Sequence, residues 1–211
     1  EQAAAGAFAN AGQICTSVER VYVHEQLAEP FLAALTDRAR SIAVGPGLDP
    51  RSEMGPLIDE RQLELVQAHV AEAVAAGARV LAGGERLDRA GSFFAPTVLA
   101  DVDGAMRIMR EETFGPVAPV QVVDSFDAAL AEADATDYGL AATVLTPSQA
   151  NAQRAWRELR AGTVKVNAVW GGAPGGSAQP RGQSGNGFGY GPELLDELTL
   201  TKVVHIEPPP G

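Results

Sequence analysis

One cysteine in 211 residues, Cys15, leaves no intrachain disulfide to form, and a lone thiol fits a reducing compartment such as the cytoplasm. Basic residues are also in short supply. Lys and Arg number 16 against 27 Asp and Glu, a formal charge of −11. That balance argues against a nucleic-acid partner or an anionic membrane surface, either of which wants a basic face. Long apolar runs are missing too. No stretch reaches the roughly 18 residues that a membrane span needs, because Glu, Asp, Gly or Pro interrupts every candidate. The chain opens Glu1-Gln2, with no basic segment ahead of an apolar one, so no secretory leader is expected within it. It has no initiator Met and begins in what reads as mid-helix, as a piece of a longer polypeptide would. What is present is 45% hydrophobic and 20% charged, the composition of a globular domain.

Helical and extended patterns alternate along the chain. Residues 1–13 read as the last turns of an Ala-rich helix ending near Gly12. Val21-Tyr22-Val23 is a short strand, and residues 25–43 carry Leu27, Phe31, Leu35 and Ile42 at near-helical spacing. Asp59 with Gln62 resembles a capping box. The helix that follows has Leu63, Val66, Val70, Ala73 and Val74 on one face and Gly77 as its stop. His69 on this helix is expected at the surface. Strands are expected at residues 79–81, 94–99, 117–123, 140–145 and 164–166. Ser125 opens a helix with Phe126, Ala129, Leu130 and Ala133 inward, and Thr146-Pro147 opens another. The alternation predicts an α/β fold: a doubly wound, mostly parallel open sheet flanked by helices. Residues 171–191 are Gly-dense and read as a long irregular loop. Residues 198–206 are β-prone again.

Two segments stand out chemically. Cys15 follows Asn10-Ala11-Gly12-Gln13-Ile14 at a helix-to-strand junction, not within an apolar run. A thiol is a weak nucleophile until its surroundings favour thiolate, and a lone cysteine is more often a small core residue than a nucleophile. Gly12, however, permits a tight turn that would leave the Cys15 N–H free to face an oxyanion. The second segment is Glu111-Glu112-Thr113-Phe114-Gly115-Pro116-Val117, two acids and an aromatic on a turn entering a strand. It is either a solvated turn or a carboxylate placed to accept hydrogen bonds from vicinal sugar hydroxyls. Gly185-Asn186-Gly187-Phe188-Gly189 lacks the spacing of a dinucleotide fingerprint. His24, His69 and His205 make no metal-ligand spacing with Cys15, and no G-x-S-x-G elbow is present.

The run Phe8-Ala9-Asn10-Ala11-Gly12-Gln13-Ile14-Cys15 resembles the active-site cysteine motif of the aldehyde dehydrogenase superfamily, and residues 111–117 resemble that family's second motif. Shorter matches include Gly55-Pro56-Leu57-Ile58, Pro96-Thr97-Val98-Leu99, Tyr138-Gly139-Leu140, Gly162-Thr163-Val164-Lys165-Val166-Asn167 and Ser184-Gly185-Asn186-Gly187. The resemblance covers nearly all of residues 1–206. It implies a catalytic domain over residues 1–197 and an oligomerisation-type tail strand over 198–211, with the N-terminal cofactor domain lying outside this chain. By the same resemblance Cys15 is the nucleophile that attacks an aldehyde, Glu112 binds the ribose of NAD or NADP, and Phe114 packs beside it. Thr16 and Trp170 would line the aldehyde pocket, no metal is implied, and the full-length form would be a homo-oligomer. The acyl group would leave to water or to coenzyme A, and a non-catalytic partner-binding protein on the same fold is the alternative from another class. The isolated chain is expected to be inactive, because a general base and one oxyanion donor lie upstream in the family. Two departures fall near the C-terminus: Gly182 stands where a basic residue is usual and Phe188 where an Arg is frequent, and residues 171–180 look lengthened.

Overall fold

A computed structural model describes residues 1–172, 178–209 and 211. Helix α1 (Gln2–Phe8) packs Ala3, Ala4, Ala7 and Phe8 inward. The chain does not remain helical to Gly12, as the Ala-rich pattern suggested. Asn10, Ala11 and Gly12 are all left-handed, with φ of 51°, 55° and 71°, and they turn the chain sharply toward Cys15. Strand β1 (Val21–His24) and helix α2 (Glu25–Ser41) follow. Helix α3 (Glu60–Ala75) is capped by Asp59, whose carboxylate accepts the Gln62 N–H at 2.8 Å. It stops at Gly77, φ +110°, where a glycine is the natural terminator.

The central sheet is built from β2 (Arg79–Ala82), β3 (Thr97–Ala100) and β4 (Val117–Val123), with β1 at its edge. Its order is β1-β4-β3-β2. β1 and β3 run parallel to β4, and β2 runs antiparallel on the far side of β3. Leu63 and Val66 of α3 join Val98 and Leu99 of β3, Ile108, Met109, and Val117 and Val120 of β4 in one buried core. Each large side chain so buried stabilises the fold by about 1.5–3 kcal/mol.

Helix α4 (Phe126–Ala133) starts at Ser125, whose hydroxyl accepts the Ala128 N–H. Strands β5 (Tyr138–Gly139) and β6 (Ala141–Val144), helix α5 (Gln149–Glu158) and strand β7 (Thr163–Val166) complete the α/β alternation. β6 and β7 pair in parallel but form a ribbon separate from the central sheet. Between β1 and β6 lies an apolar groove of about 500 Å³, lined by Val21, Phe31, Phe126, Leu130, Val144 and Leu159 among others. The inward residues expected on α4 line this groove, so none of them is fully buried. The open, largely parallel α/β sheet is therefore present, divided at this groove.

Several local expectations are corrected. His69 is fully buried, not at the surface. Its spacing from Val66 and Val70 puts it on the apolar face of α3, and the Thr113 hydroxyl lies 3.1 Å from Nδ1. Val74, one position beyond Ala73, turns outward and is exposed. The helix cap after β6 is Ser148, not Thr146: Ser148 Oγ accepts the Asn151 N–H, and Thr146 Oγ1 accepts the Ser148 N–H. The Gly-dense segment holds a short strand β8 (Arg181–Gly182) paired with β5, and helix α6 (Pro192–Glu197) follows it. Gly182 has φ +56°, and a Cβ there would lie 2.2 Å from the Asp137 carbonyl oxygen, so no basic side chain fits that position. The expected lengthening of residues 171–180 falls largely on 173–177, outside the described residues. Of the tail, residues 198–209 form no strand, and Leu198, Leu200, Val203, Val204 and Ile206 are exposed.

Candidate active site

The two singled-out segments lie far apart in sequence, and a pair of glycines joins them. A Cβ on Gly12 would sit 2.0 Å from the Gly115 carbonyl oxygen and 2.5 Å from its carbon. Only hydrogen fits at that point. A Cβ on Gly115 would in turn meet Val66 Cγ2 at 2.4 Å, so the second loop is pressed between α3 and the cysteine loop. Three of the five non-glycine residues with positive φ among the described residues belong to these loops: Asn10, Ala11 and Phe114. Left-handed backbone at Ala and Phe costs about 1–2 kcal/mol per residue, and such strain persists where the surroundings hold it.

The cysteine loop is braced by its own side chains. Asn10 Nδ2 donates to the Gln13 carbonyl at 3.0 Å. Gln13 accepts the Ile58 N–H at 2.9 Å and donates to the Pro56 carbonyl at 3.3 Å, which ties the loop to the segment before α3. Cys15 follows in a turn closed by the Ser17 N–H on the Ile14 carbonyl. Its thiol is exposed. The Cys15 N–H donates to no acceptor among the described residues. Thr16, its neighbour, is half-buried.

The structure divides the work of the two adjacent acids. Glu111 Oε2 accepts from Arg107 Nε at 2.8 Å and lies 3.7 Å from His69 Nε2. Glu112 is exposed and makes no hydrogen bond or ion pair among the described residues. Phe114 is half-buried at φ +50°. Further residues grip this segment. Glu19 accepts the Thr113 and Phe114 N–H groups, one on each carboxylate oxygen, both at 2.9 Å. Gln62 Nε2 donates to the carbonyls of the same two residues at 2.9 and 3.0 Å. His69 meets the Thr113 hydroxyl, and Arg107 holds Glu111 while also reaching Glu72 at 3.0 Å. Burial pushes the Glu19 carboxyl above the ordinary carboxylate range, against the two N–H donors that lower it. Burial likewise pushes His69 below the ordinary histidine value, helped by the nearby Arg107.

Sequence reasoning missed Glu19, Gln13 and the second role of Gln62. The expected capping box closes only halfway, because the Gln62 side chain turns away from its own N-cap toward residues 113–114. Glu19 gave one readable hint, a single acid between Val18 and the β-prone run that begins at Val21. Val169 is buried against Gly6, its N–H donates to Gln2 Oε1 at 3.0 Å, and Trp170 projects outward beside Lys165, whose Nζ lies 5.7 Å from the ring centre.

Fold and site together define an α/β domain in which the loop of one exposed cysteine touches the segment that carries an exposed carboxylate. Known proteins place it further. The family model for the aldehyde dehydrogenase family matches residues 1–204. The chain is 46% identical over 163 residues to a betaine aldehyde dehydrogenase of Cereibacter sphaeroides, covering 77% of this chain and 34% of that protein. Among solved structures, an NAD-dependent aldehyde dehydrogenase from Sinorhizobium meliloti superposes with a TM-score of 0.92 at 37% identity, covering 99% of this chain and 42% of that one. Betaine aldehyde dehydrogenase from Staphylococcus aureus, solved in complex with NAD+, gives 0.89 at 36% identity, covering 93% and 40%. The chain belongs to the aldehyde dehydrogenase family. It spans between 34% and 42% of the length of these relatives.

Proposed function

We propose that this chain is the catalytic portion of an NAD(P)-dependent aldehyde dehydrogenase that oxidises an aldehyde to a carboxylic acid. One observation carries the reading: the contact of Gly12 with Gly115 locks the loop of an exposed cysteine onto the segment that presents a carboxylate without a partner among the described residues. The Cys15 thiolate adds to the aldehyde carbon, and the developing oxyanion faces the Cys15 N–H. The nicotinamide nucleotide, when bound, supplies the hydride acceptor. Cys15 then carries the acyl group as a thioester until water releases the acid. Glu112 fits the cofactor in its chemistry, since a carboxylate free of other partners accepts from two vicinal hydroxyls. Phe114 packs beside that ribose, and Thr16 and Trp170 border the aldehyde.

The upstream portion of the relatives, where the family's cofactor domain lies, completes the site in this reading. The exposed apolar tail, Leu198 to Ile206, supports a homo-oligomer in which the tail finds a strand partner outside this domain. No described helix is long and apolar enough to cross a membrane, and the single free thiol supports a cytoplasmic site of action. The test is made on the full-length protein. Cys15→Ala abolishes NAD(P)-linked aldehyde oxidation, and Glu112→Gln weakens cofactor use by the equivalent of one charge-assisted hydrogen bond, about 1.5–3 kcal/mol. Retained turnover in Cys15→Ala overturns the assignment.

A further inference from the structure

The grip on Thr113 and Phe114 engages every backbone N–H and carbonyl of the two residues. Both N–H groups of these consecutive residues end on one carboxylate, and both carbonyls end on one amide. The two gripping side chains come from unrelated places: Glu19 from the run between Cys15 and β1, Gln62 from the first turn of α3. Neither is needed to build the element it sits on. The Gln62 backbone N–H already satisfies the Asp59 cap, and Glu19 precedes the first β1 pairing at Val21. What the grip does fix is a left-handed Phe114, and with it the direction in which Glu112, one residue before Thr113, leaves the loop.

We propose that Glu19 and Gln62 are positioning residues for the nucleotide site, acting through Glu112. The inference rests on the reading of Glu112 as the ribose-binding carboxylate. Glu19 also lies four residues after Cys15, so one short segment carries both the nucleophile and the group that orients the cofactor's carboxylate. Distances between the two loops are thereby set by side chains of the loops themselves. Glu19 contributes as an acceptor of two donors. An amide in its place offers one oxygen and turns an N–H₂ group against a second N–H, so that one of the two bonds is lost and a repulsion is added.

The experiment uses the full-length enzyme and four variants: Glu19→Gln, Gln62→Met, Glu112→Gln, and Glu19→Gln combined with Glu112→Gln. Cofactor KM, kcat, the thermal midpoint and the rate of Cys15 alkylation by iodoacetamide are measured for each. Glu19→Gln and Gln62→Met each raise cofactor KM by about tenfold or more, the equivalent of one charge-assisted bond lost between Glu112 and the ribose, while the alkylation rate stays within about twofold of wild type. In the Glu112→Gln background, Glu19→Gln adds no further rise, because the group it orients is already gone. A residue that merely supported the fold would instead add its effect in both backgrounds. Should Glu19→Gln not fold, Gln62→Met carries the test alone. Unchanged cofactor KM in the folded variants, with Glu112→Gln impaired, overturns the positioning role and leaves the ribose assignment standing. Unchanged KM in Glu112→Gln overturns both.

Discussion

Replacing Gly12 by alanine tests whether one backbone contact holds the two motif loops together. The methyl group would enter at 2.0 Å from the Gly115 oxygen, 2.5 Å from its carbon and 3.1 Å from the Ala7 oxygen. All three are backbone atoms, so no flexible side chain can yield. The substitution also places alanine at φ +71°. The conformational part costs about 1–2 kcal/mol. Forcing a methyl into a filled space costs about 1–3 kcal/mol more. Gly77→Ala supplies the comparison: its φ is +110° and nothing lies within 4 Å of the added Cβ, so it bears the conformational part alone. Urea unfolding of the 211-residue chain should therefore show Gly12→Ala less stable than Gly77→Ala by about 1–3 kcal/mol. In the full-length protein the same change displaces Cys15 relative to Glu112 and lowers kcat/KM by about a hundredfold. Equal destabilisation by the two substitutions, or wild-type kcat/KM in Gly12→Ala, would refute the claim that this contact sets the site.

His69 should make stability depend on pH in a defined direction. Its folded-state value lies below the ordinary histidine value, so below about pH 6.5 the unfolded chain binds the proton more readily and stability falls with pH. His69→Asn removes this component, and Glu19, shifted the other way, remains in both proteins. The difference between their urea midpoints at pH 7.5 and pH 5 isolates the histidine, and parallel pH profiles would contradict its burial as a neutral group. The 211-residue chain by itself should fold without oxidising any of a panel of aldehydes, read as NAD-linked absorbance, since loss of one oxyanion donor alone costs about 10²–10³ in rate. Robust turnover by the chain would show that it holds a complete site. Its exposed tail should drive self-association that deletion of residues 198–211 removes, as seen by light scattering.

Local patterns sufficed wherever an element is made by its own residues. The strand at Val117–Val123, the cap at Asp59, the stop at Gly77 and the helix opened by Ser125 were all readable, because periodicity, capping and glycine chemistry act within a few residues. The two chemical motifs were readable for the same reason, being short and contiguous. Tertiary structure alone decided what those motifs rest on. Nothing near His69 in sequence announces Thr113, 44 residues away, and without that hydroxyl a histidine belongs at the surface. Glu19 reaches its two N–H donors across 94 and 95 residues, and Gln62 abandons the box its neighbours suggest for carbonyls more than 50 residues on. The choice between Glu111 and Glu112 had the same origin. As letters they are equivalent, and the resemblance to a family favoured the second. Which one keeps a partner is decided by where Arg107 and His69 fall once α3 has packed against the loop: Glu111 meets both. Most buried polar groups need a partner, and the partners used here are brought by the fold, not by the neighbouring sequence.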